Sequence, residues 1–347
     1  MIPDNIQQAD APVRYPFLWN APKQDYTQWP GFSPNGDDLL GLARNLGEVY
    51  GEFAVFEPTK ERFGINYLNN NSAYFDGLRK LEGLIKQIGP PEWPWPVDTK
   101  LAEQGKAIYN RPTAQNGCSD CHGIRRGEVR LFTDQTWATP RIDVGTDTRE
   151  WDILKWQART GVFKDAPIIP SFPLRFFGDT GNALELLTTS VLGSILQNSF
   201  PPAATAMETQ AKQLERFQAL HNLTGGFHLP GQPSPSSKQA APTKKNVFEA
   251  RVLEGIWAAA PYLHNGSVPT LYDLLLPADR RPKAFKIGPA YDKVKVGLAI
   301  EQTKFDYTLN TTDCSDRNSG NSRCGHEYGT QLPPDEKKAL LEYLKKL

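Results

Sequence analysis

Two cysteines and an adjacent histidine lie close together in the sequence, at the spacing of a known covalent attachment motif. Cys118, Cys121 and His122 form the run C-S-D-C-H, a C-x-x-C-H motif. In this motif the two thiols add across the vinyl groups of a porphyrin, and the adjacent histidine binds the iron from the proximal face. A thioredoxin-type dithiol would sit near a βαβ pattern and a zinc site would need two further close ligands; neither is visible nearby. The sequence therefore predicts one covalently attached haem c.

Two helices are predicted to flank this motif at a distance. Asp98 can cap a helix over residues 99–110, and a second helix can begin at Pro333 or Pro334 with acidic residues in its first turn. Gly105 lets another helix approach closely, so we expect the two helices to cross. This arrangement resembles the class I cytochrome c fold, whose first and last helices cross beside the haem. It predicts a mainly α, cytochrome c-like helical haem domain with long loops.

The sixth ligand of the iron decides between electron transfer and substrate chemistry. Met207 lies in a polar helical stretch and is a poor candidate, and His221 and His228 flank a loop rich in Pro, Gly and Ser. His326 lies a few residues before the last helix, where class I cytochromes present their distal ligand, and is the first choice. His264 lies in a turn-rich segment, and three roles stay open for it: iron ligand, propionate contact or hydrogen-bonded core histidine.

Other residues are candidates to support the haem. Cys314 and Cys324 bracket the loop before His326, and a disulfide between them would hold that loop against the iron, with two free thiols as the alternative. The carbonyl of Pro140 is the candidate acceptor for the second nitrogen of the proximal imidazole. Arg251 is a candidate partner of a haem propionate, with an ordinary surface arginine as the alternative. Tyr262 is a remote alternative as iron ligand.

Composition excludes some classes of partner. Lys plus Arg number 39 and Asp plus Glu number 39, so no net field attracts nucleic acid. No run of about 18 apolar residues is present, and no membrane span is predicted. The chain also has 28 Gly and 29 Pro, which predict many turns and long irregular connections.

We predict two parts along the chain. Residues 1–96 are an N-terminal loop with packing helices, and residues 97–347 are the haem domain, with an insertion at about 141–245. Apolar periodicity predicts further helices, and β-branched runs predict a small β-ribbon insertion. The helices span 37–53, 72–88, 182–196 and 207–220, and the ribbon pairs 285–287 with 294–296.

Four stretches join the haem motif in a wider resemblance. They are Y-P-F-L-W at 15–19, V-L-E-G-I-W at 252–257, A-P-Y-L-H-N-G at 260–266 and G-H-E-Y-G at 325–329. With them the chain resembles the di-haem cytochrome c peroxidase superfamily, in the branch of the bacterial rubber oxygenases. The resemblance implies a periplasmic or secreted, peroxidase-like oxidoreductase in which this chain is the electron-transfer haem domain.

The chain departs from that family in one respect. Members carry two haem motifs, the first in a domain with the reactive haem, whereas this sequence has a single motif preceded by 117 residues and no signal peptide. We therefore expect it to be the second half of a longer protein, with a redox partner protein or a second haem domain as its partner. A self-contained mono-haem electron carrier and a mono-haem peroxidase are the alternatives.

Overall fold

The computed structural model describes residues 2–62, 64–127, 135–199 and 246–347. More of its residues lie in helices than in strands, and long loops join these elements. The predictions made for Met207, for the helix over 207–220, and for His221 and His228 lie outside the described residues. The helices are α1 Asp38–Glu48, α2 Phe75–Ile85, α3 Thr99–Tyr109, α4 Ser119–His122, α5 Ala183–Ser199, α6 Leu271–Leu274 and α7 Pro334–Leu344.

Helices α3 and α7 cross at close range, as the sequence predicts. The carboxylate of Asp98 accepts from the backbone N–H of Leu101 and caps α3. At Gly105 a Cβ atom would lie only 2.0 Å from the carbonyl oxygen of Ala339 in α7. The ring of Tyr109 meets that of Tyr343 edge-on with centres 5.3 Å apart. The pair forms the most extensive contact between any two elements described, and its apolar core is shared with α6.

A second group of helices packs through a core of its own. α1 and α2 lie against each other and against α5, and Leu46, Phe75 and Val191 are buried between them. A single turn of π-helix at Val49–Phe53 continues α1, which explains why the apolar pattern predicts one helix as far as Phe53.

The strands are short and form two-stranded antiparallel ribbons rather than one large sheet. These ribbons hold loops together, and two of them also contribute buried core residues, Ile65 in β4 and Phe248 in β8. The pairs are β1 Tyr26–Thr27 with β2 Ser33–Pro34, β3 Thr59–Glu61 with β4 Gly64–Asn66, β5 Arg141–Ile142 with β8 Phe248–Glu249, β6 Gln157–Arg159 with β7 Thr180–Asn182, β9 Ala284–Ile287 with β12 Tyr307–Asn310, and β10 Tyr291–Asp292 with β11 Gly297–Leu298.

The predicted pairing of 285–287 with 294–296 is wrong. Strand β9 pairs with β12, which lies further along the chain. Residues 294–296 instead belong to the turn between β10 and β11, where the carboxylate of Asp292 accepts from two backbone N–H groups. Such Asp-centred turns compete with ladder pairing, and Val296 takes a left-handed backbone with φ +58°. No helix in the described ranges has the length and apolar character needed to cross a bilayer.

Candidate haem site

A large cavity opens beside the crossing of α3 and α7, with about 1300 Å³ of empty space including its mouth. Apolar side chains from α6 and α7 make up much of its wall, among them Leu271, Leu274 and Leu340. Both motif cysteines, His122, His264, His326 and Arg251 also line it. The structure therefore brings these six predicted site residues together around one largely apolar space, although more than 200 residues separate some of them in sequence.

The end of α3 positions the proximal histidine. The Tyr109 hydroxyl donates to the His122 carbonyl at 3.0 Å, and the Cys118 N–H donates to the Tyr109 carbonyl at 2.9 Å. The Nδ1–H of His122 donates to the backbone carbonyl of Arg251 at 2.7 Å. Because a carbonyl can only accept, this bond places the ring proton on Nδ1 and leaves Nε2 free to bind a metal. Burial also lowers the pKa of His122, which favours the neutral ring.

The prediction that Pro140 accepts from the proximal histidine is wrong. Its carbonyl accepts from the backbone N–H of Ala250 at 3.0 Å, beside the β5–β8 ribbon. That bond occupies the Pro140 carbonyl, and the carbonyl that reaches the imidazole is that of Arg251, two residues after the end of β8. The type of acceptor is as expected, but the residue that supplies it is set by a strand pairing that spans more than 100 residues.

The two motif thiols are free and protonated. Cys118 and Cys121 form no disulfide. Burial, together with the neighbouring Cys121, raises the pKa of Cys118 to about 11, and burial also raises the pKa of Cys121. Catalytic dithiols depend on a lowered thiol pKa, so this environment does not suit thiol–disulfide exchange. Two free thiols at the cavity wall beside a half-buried imidazole suit covalent attachment of a porphyrin.

His326 faces His122 across the cavity. The two ring centres are 6.0 Å apart, with 47° between the ring planes. Burial, with His122 and Arg281 as smaller causes, lowers the pKa of His326 to about 3, so its imidazole is neutral. The preceding loop is closed by a disulfide between Cys314 and Cys324, with 5.5 Å between their Cα atoms.

His264 lines the same cavity but is packed differently from His326. Its ring stacks on Phe248 with centres 4.1 Å apart and planes 16° from parallel. Its backbone carbonyl accepts from Arg14, and burial lowers the pKa of its imidazole to about 3. Among the described residues the ring that meets His122 is that of His326. The structure thus gives His264 the geometry of a packed wall residue.

Arg251 is buried rather than an ordinary surface arginine, with 3% of its surface exposed. Its Nη2 forms a buried ion pair with the carboxylate of Glu249 at 3.0 Å, and its Nε is buried without a hydrogen-bond partner among the described residues. The hydroxyl of Thr146, also at the cavity wall, is likewise buried and unpartnered. Buried polar groups are normally satisfied, so these unused donors mark a place for carboxylates of a bound group such as haem propionates.

The N-terminal segment, in which the sequence shows no chemistry, supplies part of the wall. Arg14, Phe17 and Trp29 line the cavity although they precede the predicted boundary at residue 96. The guanidinium of Arg14 donates to the carbonyls of Ala259 and Leu263 and lies 4.8 Å from the Trp29 ring centre. The aromatic residues of this segment were the available signal, because they need apolar surface to cover.

One part of the chain matches a known family model. Residues 247–286 match the model described as RoxA-like, cytochrome c-like. This stretch includes Arg251, His264 and α6, all at the cavity wall. The match identifies a cytochrome c-like domain here, implies haem c as the cofactor and supports a role in electron transfer.

Two curated relatives align with nearly the whole chain. Both are uncharacterised proteins of Sinorhizobium fredii (strain NBRC 101917 / NGR234). The protein y4iJ is 29% identical over 99% of this chain and 56% of its own length. The protein y4iM is 24% identical over 95% of this chain and 63% of its own length. The chain thus spans about three fifths of the length of these relatives.

Proposed function

We propose that this chain holds one haem c, attached through Cys118 and Cys121 and bound axially by His122 and His326, and that it transfers single electrons. The observation that carries the proposal is the 6.0 Å between the centres of the two imidazole rings. Bonds from a metal to imidazole nitrogen are about 2 Å long, so two axial imidazoles on one metal have ring centres about 6 Å apart.

Each group at the cavity wall has a definite task in this proposal. The Arg251 carbonyl fixes the tautomer of His122 and makes its Nε2 the ligating atom. The unpartnered donors of Arg251 and Thr146 would bind the propionates. The leucines of α6 and α7 exclude water from the site. The haem, when bound, supplies a one-electron carrier, and with both axial positions taken by protein nitrogens it would offer no open position for oxygen or peroxide.

A haem whose two axial positions are both occupied by protein can only pass electrons on, so it needs a second redox centre as its partner. We infer that this chain is the electron-relay domain of a rubber-oxygenase-like or peroxidase-like oxidoreductase, and that its partner is a second haem domain or a redox protein. The greater length of both Sinorhizobium relatives supports a further domain in proteins of this kind. The Cys314–Cys324 disulfide supports a periplasmic or secreted location, because disulfides persist in oxidising compartments. The α3–α7 crossing beside the cavity supports a cytochrome c-like fold for residues 97–347.

The test uses protein matured with haem. Mass spectrometry should find one covalent haem per chain, and Cys118→Ala or Cys121→Ala should each leave a single thioether bond. The ferrous protein should bind carbon monoxide slowly or not at all, because both axial positions are taken. Immediate carbon monoxide binding with peroxide turnover would contradict the relay function and favour a mono-haem peroxidase.

A further inference from the structure

A buried arginine holds the loop that presents His326. Arg281 is 2% exposed, and all the acceptors that its guanidinium finds among the described residues are backbone carbonyls. Some of these carbonyls belong to α6 and the turn after it, and the others to the loop that ends at His326. The acceptors are Leu276 at 3.1 Å from Nε, Arg323 and Gly325 at 2.7 and 2.8 Å from Nη1, and Leu274 and His326 at 3.4 and 3.3 Å from Nη2. One guanidinium thus ties the cavity wall to the distal loop.

The charged guanidinium of Arg281 lies in the protein interior. Burial lowers its pKa to about 10, so it is a cation at neutral pH. In the described part of the chain it makes no ion pair, and Glu327 and Asp273 act on it only from a distance. A buried charge without a counter-ion is costly, and here carbonyl dipoles compensate for it. The favourable interactions of this side chain are therefore mainly its hydrogen bonds to the backbone carbonyls.

The distal loop needs such a restraint because its backbone is unfavourable. His326 has φ +51° and Gly325 has φ +76°, both in the left-handed region. For a residue with a Cβ atom this conformation costs about 1–2 kcal/mol and persists only where the surroundings impose it. A Cβ at Gly325 would lie 2.3 Å from the backbone of Gly145 and Thr146, so the loop also lies tightly against the opposite wall.

The two facing histidines are held in different ways. The ring of His122 is fixed through Nδ1 by the Arg251 carbonyl. The Nδ1 of His326 is buried without a hydrogen-bond partner in the described part of the chain. Its backbone is the anchor: its N–H donates to the Val144 carbonyl at 2.7 Å, and its carbonyl accepts from Arg281.

We propose that Arg281 is the positioning residue for the distal ligand, and that it keeps His326 on the sixth coordination position by holding the backbone on both sides of that residue. The inference rests on the proposed axial pair of His122 and His326. Without the guanidinium fork the loop can relax from its left-handed conformation, and the imidazole then leaves the iron for part of the time. The haem would bind exogenous ligands in that state.

The test compares Arg281→Met and Arg281→Lys with Arg280→Met, a matched control in which the neighbouring exposed arginine is changed. Ferric electron paramagnetic resonance and stopped-flow carbon monoxide binding to the ferrous form report on folded, haem-loaded protein alone. For Arg281→Met we expect a high-spin signal and carbon monoxide binding about tenfold faster or more, the effect of losing one or two hydrogen bonds to a charged group. Arg281→Lys should show both changes at smaller amplitude, and Arg280→Met should show neither.

The outcomes separate the two proposals. A high-spin wild-type spectrum would overturn the proposed axial pair itself. A low-spin wild type, with Arg281→Met equally low-spin and equally slow to bind carbon monoxide, would overturn only the role of Arg281. If Arg281→Met yields no holoprotein, Arg281→Lys decides alone, because an ammonium group cannot bridge both elements in the geometry of the fork. A Lys variant indistinguishable from wild type would then contradict the inference.

Discussion

The contact between α3 and α7 at Gly105 allows a sharp test, because one added methyl group meets backbone there. In Gly105→Ala the new Cβ would lie 2.0 Å from the Ala339 carbonyl oxygen and 2.8 Å from the Cβ of Tyr343. Carbon and oxygen do not approach that closely without a bond, so the two helices must move apart by about 1 Å or more. The carbonyl group that the new methyl group meets belongs to the backbone of α7, which cannot rotate away as a flexible side chain would.

The size of the effect follows from two opposing terms. Overpacking of a tight contact costs about 1–3 kcal/mol and occasionally more, and a backbone clash belongs at the upper end. Alanine also gains about 1 kcal/mol over glycine in a helix interior. We therefore expect Gly105→Ala to lower the free energy of unfolding by about 2 kcal/mol. Gly83 in α2 is the matched control, since a Cβ there meets no atom of the described residues within 4 Å and Gly83→Ala should stabilise by up to about 1 kcal/mol.

Urea unfolding of the haem-loaded proteins, followed by far-ultraviolet circular dichroism, measures both substitutions on one scale. The expected result is two midpoint shifts of opposite sign for the same chemical change. If Gly105→Ala were as stable as Gly83→Ala, the close crossing of α3 and α7 would be refuted.

Two further predictions concern a buried carboxyl group and the disulfide. Burial raises the pKa of Glu150 from its ordinary 4.5 to about 8, with Arg251 lowering it and Asp147 raising it to smaller extents. Because the pKa of Glu150 is higher in the folded than in the unfolded protein, its contribution to stability is fully present below about pH 4.5 and is lost as the pH rises to about 8. The melting temperature of the wild type should therefore fall over that window, and that of Glu150→Gln should fall less. Replacing Cys314 and Cys324 by serine opens a loop with a sequence separation of 10 and should lower the free energy of unfolding in urea by about 2–3 kcal/mol. A double variant as stable as the oxidised wild type would show that the disulfide does not restrain the loop.

The parts of the site that could be predicted from the sequence are those that depend on residues close together in the chain. The C-x-x-C-H spacing is a local signal for haem attachment, and the capped helix with Gly105 is a local signal for a close crossing. His326 was chosen by its position before the last helix, and the structure places its ring opposite that of His122.

The parts that escaped prediction depend on contacts between distant segments. The acceptor for His122 is Arg251 rather than Pro140 because of how two short strands pair, and no local pattern encodes that choice. Arg281 looks like a surface residue in sequence because it follows another arginine, yet it is buried against the distal loop. Arg14 reaches the cavity from a segment that has no helical or strand periodicity.

The most direct test of the proposed axial pair is the ferric low-temperature electron paramagnetic resonance spectrum, with the matching visible spectrum, of three matured proteins. They are the wild type, His326→Ala and His264→Ala, the last serving as a control for a buried cavity histidine. We predict a low-spin spectrum for the wild type and His264→Ala, and a high-spin spectrum for His326→Ala. A low-spin spectrum that survives His326→Ala but is lost in His264→Ala would contradict the assignment of His326 as the distal ligand.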